Sequence, residues 1–264
     1  MISGPKLATA SNIFWIIVAF AAVIVWAFWY QTWAWHEARQ MEKLDPCLDL
    51  IPHSLPDQSA SREAAIKQVY FGYQFEVPFP GPETATTYSS TYFATATLVF
   101  HADYGVVFRD PEGQHNFIHD LTADGHRPNM KAFLGTRLGK DAARSDYDFL
   151  KSQLDTTPNQ ISPMHSKREA IQRLTLLRMK GAIHCSRKPV AFYLFQSQNL
   201  RCIQMGEPAV DGFIEVRCFN PGDQEFNFIF SVRKGSGLKL SQLDINRVIQ
   251  TLRPVPAPTN QPKN

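Results

Sequence analysis

The feature that most constrains this chain is an uncharged apolar run close to its N-terminus, from Ile13 to Tyr30. As an α-helix, these eighteen residues would extend for roughly 27 Å, which is close to the thickness of a bilayer's hydrocarbon core. Apolar side chains would occupy every side of that helix, whereas a helix on the surface of a soluble domain keeps one polar face. The run therefore predicts a membrane-spanning helix.

Aromatic residues cluster at the C-terminal end of this run. Tryptophan and tyrosine favour the headgroup layer of a membrane, where the ring is in apolar surroundings and its polar atom stays hydrated. We expect the membrane-interface belt to consist of Trp26, Trp29, Tyr30, Trp33 and Trp35. Residues 13–35 would then contact the lipid bilayer, and residues 1–36 are predicted to be an N-terminal anchor.

A cleaved signal peptide is the alternative interpretation of this region. It would have a shorter apolar core followed by small residues at a cleavage site, but here the core continues directly into bulky aromatic side chains. The sequence therefore favours an uncleaved signal-anchor, with a single pass through the cytoplasmic membrane. The short N-terminal flank carries Lys6 and no acidic residue, which favours an N-inside orientation with the remaining chain outside the cytoplasm.

The rest of the chain has the composition of one ordinary globular domain. The 264 residues include 27 Lys and Arg and 24 Asp and Glu, and so small a basic excess argues against a nucleic-acid partner. Residues 61–252 are enough for one hydrophobic core. The proline-punctuated segment 37–60 indicates a linker, and the proline-rich residues 253–264 indicate a disordered tail.

Alternating apolar and polar residues between positions 190 and 233 predict four strands of an antiparallel meander. A single register turns the even-numbered side chains of all four strands to one apolar face. In this register Leu194 lies opposite Cys202, and Cys202 lies opposite Cys218. Cys218 in turn lies opposite Phe226. The other face is mixed, so we expect both faces to be covered.

Three helices are predicted to provide that cover. Ser145 and Ser241 each precede an aspartate by three residues, which is typical of a helix N-terminus. Ser162 followed by Pro163 indicates the start of a third helix, which would end before Gly181. That helix is basic and has two apolar stripes, so it would contact the sheet and either a neighbouring helix, a partner or an anionic membrane surface. The predicted fold class is α+β, with a mainly antiparallel sheet covered by helices.

The predicted elements also follow a known order. A strand that ends in proline (FGYQFEVP), a central antiparallel sheet and a last strand that leads to a capped helix (FNFIFSVRKGSGLKLSQLDINRVIQTLRP) resemble the Mog1/PsbP-like α/β/α sandwich. The resemblance covers mainly the two ends of residues 66–253, and it carries no functional residue over because no motif matches residue by residue. That group consists largely of accessory and binding proteins, so the resemblance implies a non-catalytic binding role.

The four cysteines are Cys47, Cys185, Cys202 and Cys218. None are spaced as C-x-x-C, which argues against a zinc ribbon or a thioredoxin-type motif. Cys202 and Cys218 lie opposite each other in the predicted register, where a small adjustment would allow a disulfide in an oxidising compartment. Two small buried free thiols are the alternative.

Histidines form the strongest polar constellation of the sequence. His115 and His119 are four residues apart, so one helical turn would place both imidazoles on one side, as zinc ligation requires. His126, Asp120 or Asp124 could complete the site. Glycines and prolines around these residues indicate a loop instead, in which the histidines are simply solvated.

Two functions follow from these observations. The favoured one is a single-pass, membrane-anchored protein of the cell envelope with a periplasmic domain, which binds or assists an unknown protein partner without catalysis or cofactor. The alternative is a membrane-tethered, metal-dependent enzyme that uses zinc bound to His115 and His119.

Overall fold

A computed structural model of the chain describes residues 6–55, 58–62, 64–78, 82–89, 94–100, 104–112, 117–123, 130–208, 210–232 and 240–256. Its helices are α1 (Lys6–Leu44), α2 (Phe117–Ala123), α3 (Met130–Arg137), α4 (Asp146–Asp155), α5 (Lys167–Met179) and α6 (Gln242–Gln250). Its strands are β1 (Pro52–Ser54), β2 (Ile66–Tyr70), β3 (Tyr73–Val77), β4 (Pro82–Ser89), β5 (Ala94–Phe100), β6 (Tyr104–Arg109), β7 (Phe192–Ser197), β8 (Leu200–Met205), β9 (Phe213–Phe219), β10 (Glu225–Val232) and β11 (Arg253–Pro254).

A large sheet forms the centre of the domain. Its eight strands follow the order β1-β7-β8-β9-β10-β6-β5-β4, and each neighbouring pair is antiparallel except β1 with β7. A second sheet of three strands has the order β11-β3-β2. The structure therefore confirms the α+β class and the mainly antiparallel sheet with helices.

The meander has the predicted register in three of its four strands. Cys202 lies opposite Cys218, and Cys218 lies opposite Phe226. The first strand is displaced by one residue, because Cys202 pairs with Phe195 and not with Leu194. Since side chains alternate between the faces of a strand, this displacement turns the even-numbered residues of β7 to the opposite face.

The displacement has its origin in the turn between β7 and β8. The sequence predicts three turn residues, but Ser197 pairs with Leu200, which leaves only Gln198 and Asn199 between the strands. Gln198 has a φ of 53°, and positive φ values allow a two-residue turn that follows the twist of the flanking strands. As a result, Phe192 is buried with Ile203 on the face that the register prediction leaves mixed.

One face of the large sheet is covered by α6 and the small sheet, and we call it the α6 face. Its centre is aromatic: the ring of Phe228 stacks on Phe108 at 4.6 Å, and Phe75 from the small sheet contacts both rings edge-on. The helix begins at the predicted cap Ser241. It buries Ile245, Val248 and Ile249 against the strands, and each such side chain contributes about 1.5–3 kcal/mol.

The other face is covered by α1, α4 and α5, and we call it the α5 face. The helix α4 begins at the predicted cap Ser145, but α5 begins later than the sequence predicts. Ser166 and Glu169 form a capping box there, in which each side chain accepts a hydrogen bond from the other residue's backbone N–H. This reciprocal cap satisfies two free N–H groups, so it determines the helix start, while Ser162 and Pro163 lie in the preceding turn.

The end of α1 belongs to the domain. The helix continues beyond the predicted anchor to Leu44, and small residues on one side, Ala34 and Ala38, are fully buried against α5. Residues 37–60 do not form the predicted linker, because Cys47 bonds to Cys185 and β1 pairs with β7. At the other end of the chain, β11 pairs with β3 where the sequence predicts the start of a tail. Residues 257–264 of that segment lie outside the described residues.

Residues 17–25 of α1 are apolar and exposed. Among the described residues, no single helix is long and apolar enough to cross a membrane. Two parts of α1, Ile17–Val25 and Phe28–Leu44, meet at 49° and pass this test together. By length and composition, this bent pair is one weak candidate for a membrane segment.

Candidate binding cleft

A cavity of about 270 Å³ opens on the α5 face between α4, the end of α5 and the strands β9 and β10. Its walls are mainly apolar. The ring of Phe117 stacks on that of Phe149 with 4.9 Å between the ring centres. The remaining apolar lining consists of Leu150, Met179, Ile183 and Phe219. Polar side chains converge only at the floor, as is typical of ligand sites.

An ion pair forms part of the floor. Arg217 Nε donates to Glu225 Oε1 at 2.6 Å, and its Nη2 donates to Oε2 at 2.7 Å. The Glu225 side chain is 4% exposed and that of Arg217 is 25% exposed. Burial alone would lower the pKa of Arg217, but Glu225 together with the carboxylates of Glu215 and Asp146 holds this pKa above its ordinary value. The pair is therefore charged yet neutral as a unit, and its two parallel bonds fix the guanidinium in place.

Asn227 lies beside this ion pair on β10. It is fully buried, and its Nδ2 donates to Glu215 Oε1 at 2.9 Å. Its Oδ1 has no hydrogen-bond partner among the residues that the structure describes. A buried acceptor without a donor costs about 1–3 kcal/mol, so the strand beside the ion pair carries a local cost in stability.

His184 is the second polar group of the cleft. Its Nε2 lies 2.7 Å from Gln153 Oε1. Burial, with a smaller contribution from the positive charges of Arg217 and Lys180, lowers the pKa of His184 to about 3. The imidazole is therefore neutral near pH 7, and with the amide oxygen of Gln153 as acceptor it carries its proton on Nε2.

A widened helical turn brings His184 into the cleft. After α5, the residues Lys180–His184 form one π-helical turn, a geometry that is frequent at functional sites. The same turn sends Lys180 into the core, where its side chain is 0% exposed. The two ends of this short segment thus serve different purposes: His184 contributes to the cleft, and Lys180 holds together the elements around it.

Lys180 is enclosed by backbone carbonyl groups. Its Nζ donates to carbonyl oxygens from two distant segments, those of Leu48 at 3.0 Å, Leu50 at 2.5 Å, Leu154 at 2.8 Å and Thr156 at 3.1 Å. Burial lowers the pKa of Lys180 to about 8, against the opposing charges of Asp49 and Asp155. One side chain therefore joins the segment after α1 to the end of α4.

Two aspartates fix the N-terminus of α4 at the other side of the cleft. Asp146 Oδ1 accepts a hydrogen bond from the N–H of Ile118 at 2.6 Å. Asp223 Oδ2, from the turn between β9 and β10, accepts one from the N–H of Asp146 at 2.6 Å. These contacts connect α2, α4 and the sheet, so the cleft is built on elements whose relative positions are held by buried hydrogen bonds.

The lining of the cleft suits binding better than proton transfer. His184 is paired with an amide and not with a carboxylate, so nothing raises its basicity. Arg217 is already held by Glu225. No serine, threonine or cysteine is among the described residues that line the cavity. The arrangement offers an apolar space above fixed polar groups, in which the charged side chains Asp146, Arg217 and Glu225 are already hydrogen-bonded to the protein.

The predicted metal ligands cannot be placed relative to the cleft. His115 and His126 lie outside the described residues, and so does the side chain of His119. The backbone of His119 is part of α2, the helix that contributes Phe117 to the cleft wall. Zinc ligation by these three histidines stays a prediction from the sequence.

All four cysteines are joined in pairs. Cys202 and Cys218 form a cross-strand disulfide on the α6 face, with 4.0 Å between their Cα atoms. Cys47 and Cys185 form the second disulfide, which sequence reasoning missed because Cys47 was placed in a linker. Asp45 lies near the second pair, but both sulfur atoms are bonded there, so the cluster offers no thiolate to a metal.

The aromatic belt contacts the domain in part. The side chains of Trp29, Trp33 and Trp35 are exposed, and that of Trp26 lies outside the described residues. Tyr30 is half-buried, with Lys167 Nζ at 5.7 Å from its ring centre. Arg178 Cζ similarly lies 5.5 Å from the ring of Trp33, so the basic face of α5 is partly covered by the aromatic residues of α1.

Sequence reasoning missed the polar floor of the cleft. The alternation in β9 shows that Glu215 and Arg217 share a face, but the sequence does not show that α4 and the π turn bury this face. His184 stands out in the sequence only because Cys185 follows it.

Comparison of the chain with protein-family models, with curated proteins and with solved structures found no match in any of the three.

Proposed function

We propose that this chain is a single-pass, membrane-anchored binding protein whose extracytoplasmic domain holds an apolar side chain of a partner protein in the cleft. The anchor is supported by the exposed apolar side chains of α1, which include Ile17, Phe20 and Val25. The location outside the cytoplasm is supported by the two disulfides, because disulfides persist in oxidising compartments. The N-inside orientation agrees with the acid-free flank at Lys6.

The cleft is the observation that carries the binding function. Its volume of about 270 Å³ lies just below the range of about 300–1,000 Å³ that encloses drug-sized ligands. A dry cavity of about 150 Å³ is enough to hold benzene. The space therefore fits one aromatic or large aliphatic side chain with the amide group next to it. Pockets of this size hold the anchor side chains that dominate protein interfaces.

The floor selects against a charged occupant. Arg217 and Glu225 neutralise each other, and His184 is neutral because its pKa is lowered to about 3. A charged ligand would lose its hydration and would meet only charged side chains, Asp146, Arg217 and Glu225, that are already hydrogen-bonded to the protein. A backbone amide, by contrast, has a donor and an acceptor that match the polar groups on the floor. We therefore assign the site to an apolar side chain and not to an anionic or cationic small molecule.

A small probe and two matched variants test the cleft. The probe is N-acetyl-phenylalaninamide, titrated into the full-length protein in detergent micelles and followed by NMR. Ile183 lies at the rim and is 53% exposed, so Ile183→Trp should fill the opening without disturbing the core. Leu243 on α6 is similarly exposed, and Leu243→Trp serves as the control.

We expect saturable shifts of cleft resonances in the wild type and in Leu243→Trp, and their loss in Ile183→Trp. Equal responses in all three proteins would show that the probe binds elsewhere and would contradict the assignment.

The anchor has an independent test. Alkaline carbonate should leave the full-length chain in the membrane, and protease added outside the cytoplasmic membrane should reach the domain. Release by carbonate would contradict the anchor.

A further inference from the structure

A second cavity, of about 340 Å³, lies between α3, the turn that follows it and α5. Three cationic side chains line it: Lys131, Lys140 and Arg168. The other lining residues, Ala132, Gly135 and Ala143, are small and leave the space open. No carboxylate is among the described residues of this lining. We call this cavity the basic cleft.

The cations of the basic cleft are available to a ligand. Arg168 Nη2 donates to the carbonyl oxygen of Gly135 at 3.1 Å, and Gln172 Nε2 donates to the same oxygen at 3.2 Å. These bonds orient the guanidinium and leave most of its five N–H groups unused. Within the described part of the chain, Lys131 and Lys140 make no side-chain hydrogen bond or ion pair. The lining therefore concentrates positive charge that forms no ion pair with the carboxylates of the described residues.

The position of the basic cleft follows from the packing of α1 on α5. Tyr30 lies beside Lys167 at the start of α5, and Met41 approaches Gly181 after its end. The two helices thus run in the same direction. Arg168, in the first turn of α5, is therefore at the end of the domain from which the exposed apolar part of α1 extends. Met164, just before α5, is 88% exposed at the same end.

This arrangement is held rigidly by covalent and polar contacts. The Cys47–Cys185 disulfide and the carbonyl contacts of Lys180 fasten the end of α1 to the turn after α5. These contacts hold the part Phe28–Leu44 of α1 on the domain, so the surface near the start of α5 lies at the end of the domain from which the apolar part Ile17–Val25 extends. That surface carries the basic cleft and the aromatic residues of α1.

We infer that the basic cleft binds the phosphate group of an anionic phospholipid, in the leaflet from which α1 emerges. Lysine and arginine near an anionic membrane surface each contribute about 1 kcal/mol to the interaction, and arginine matches phosphate through paired N–H groups. Exposed Met164 would enter the headgroup region beside the bound lipid. The inference depends on the membrane anchor of the proposed function, and it adds a specific lipid contact to that function.

The test measures how fast individual lysines are acetylated by a water-soluble reagent. The full-length protein is placed in nanodiscs of phosphatidylcholine alone or of equal parts phosphatidylcholine and phosphatidylglycerol, and modified peptides are quantified by mass spectrometry. Lys43 and Lys188, which do not line the basic cleft, are internal controls. A third sample contains phosphatidylcholine nanodiscs and 50 mM inorganic phosphate, which separates a lipid headgroup from a free anion.

We expect phosphatidylglycerol to slow the acetylation of Lys131 and Lys140 about fivefold or more, the factor that corresponds to 1 kcal/mol. The control lysines should change less than twofold, and free phosphate should have no effect. Equal rates in both nanodiscs, equal slowing of all four lysines or equal protection by free phosphate would each overturn the inference. Failure of the chain to enter nanodiscs would overturn both the inference and the membrane anchor, whereas the other outcomes leave the anchor intact.

Discussion

The two faces of the large sheet are stabilised by different physical means. On the α6 face, aromatic rings from the strands and the small sheet pack directly on one another, and buried polar side chains such as Gln204 and Asn246 are uncharged amides that bond to α6 or neighbouring segments. The α5 face buries Lys180, His184 and Asn227. Each of these polar groups depends on partners from other elements. The first face therefore combines a hydrophobic core with uncharged amides, whereas the second also buries charged groups.

The buried polar groups of the α5 face carry a cost in stability that their hydrogen bonds must offset. Burying a charge is favourable only when hydrogen bonds replace the lost hydration. Lys180 meets this condition through carbonyl groups that are 132 and 26 residues away in the sequence. Such contacts specify one arrangement of distant segments, whereas apolar contacts tolerate many. Both candidate sites, the cleft and the basic cleft, lie next to elements that this network positions.

The largest expected effect is on the ion pair of the α5 face. Arg217→Met should lower the free energy of unfolding by about 3–5 kcal/mol, because the buried Glu225 carboxylate loses the guanidinium that neutralises it. The double variant Arg217→Met/Glu225→Leu should lose less than the single one, because the Glu225 charge is removed together with its counter-charge. Urea unfolding of the full-length protein in micelles, followed by circular dichroism, measures both values. A double variant as unstable as the single one would show that the α5 face does not depend on the pairing of this buried charge, and so would not differ from the α6 face in that respect.

The second prediction concerns the buried lysine. Lys180→Met should lower the free energy of unfolding by about 2–4 kcal/mol at pH 7, because four buried carbonyl groups lose their donor. The exposed Lys188 is the matched control, and Lys188→Met should change stability by less than about 0.5 kcal/mol. If the two substitutions have equal effects in urea unfolding, Lys180 does not help to attach the end of α1 to the domain.

The third prediction compares the two disulfides, one on each face. Their sequence separations are 138 for Cys47–Cys185 and 16 for Cys202–Cys218. The longer loop restricts the unfolded chain more, and the difference in loop-closure entropy corresponds to about 2 kcal/mol. Replacing both cysteines of the first pair by alanine should therefore destabilise the protein by about that much more than replacing both of the second. Thermal unfolding under non-reducing conditions provides the comparison, and the reverse order would contradict it.

The fourth prediction concerns the dependence of stability on pH, per pH unit. His184 has a folded pKa of about 3, below the ordinary value near 6.5, so between these values the unfolded chain binds a proton that the folded chain excludes. The free energy of unfolding should therefore fall as the pH decreases, by up to about 1.4 kcal/mol per pH unit from this residue. His184→Gln should remove that part of the acid sensitivity, and substitution of the exposed His53 by glutamine should not. Identical pH profiles for the wild type and His184→Gln would contradict the burial of a neutral imidazole.

The features that the sequence predicted correctly are those that local patterns of residues determine. Alternation fixed the pairing of Cys202 with Cys218, and a serine followed by an acidic residue located two helix starts, at Ser145 and Ser241. The register of β7 was wrong because it depends on the positive φ of Gln198, which no pattern of apolar residues reveals.

The α5 face and the candidate sites could not be predicted from the sequence, because they depend on contacts between distant segments. A lysine in a helix looks like a surface residue until carbonyl groups from elsewhere surround it, and Ala34 and Ala38 look like part of an apolar anchor until α5 covers them. The floor of the cleft likewise needs α4 and the π turn above Arg217. The three histidines of the predicted metal site remain a prediction from their spacing alone.

The central claim is that the end of α1 is part of the domain and not a tether. Hydrogen–deuterium exchange of the full-length protein in nanodiscs tests it directly, because amides in a packed helix open only with the fold around them. We predict that amides from Ala34 to Met41 exchange as slowly as those from Leu174 to Leu177 in α5. Fast exchange between positions 37 and 44, together with slow exchange in α5, would contradict the rigid attachment and the membrane-facing position of the basic cleft.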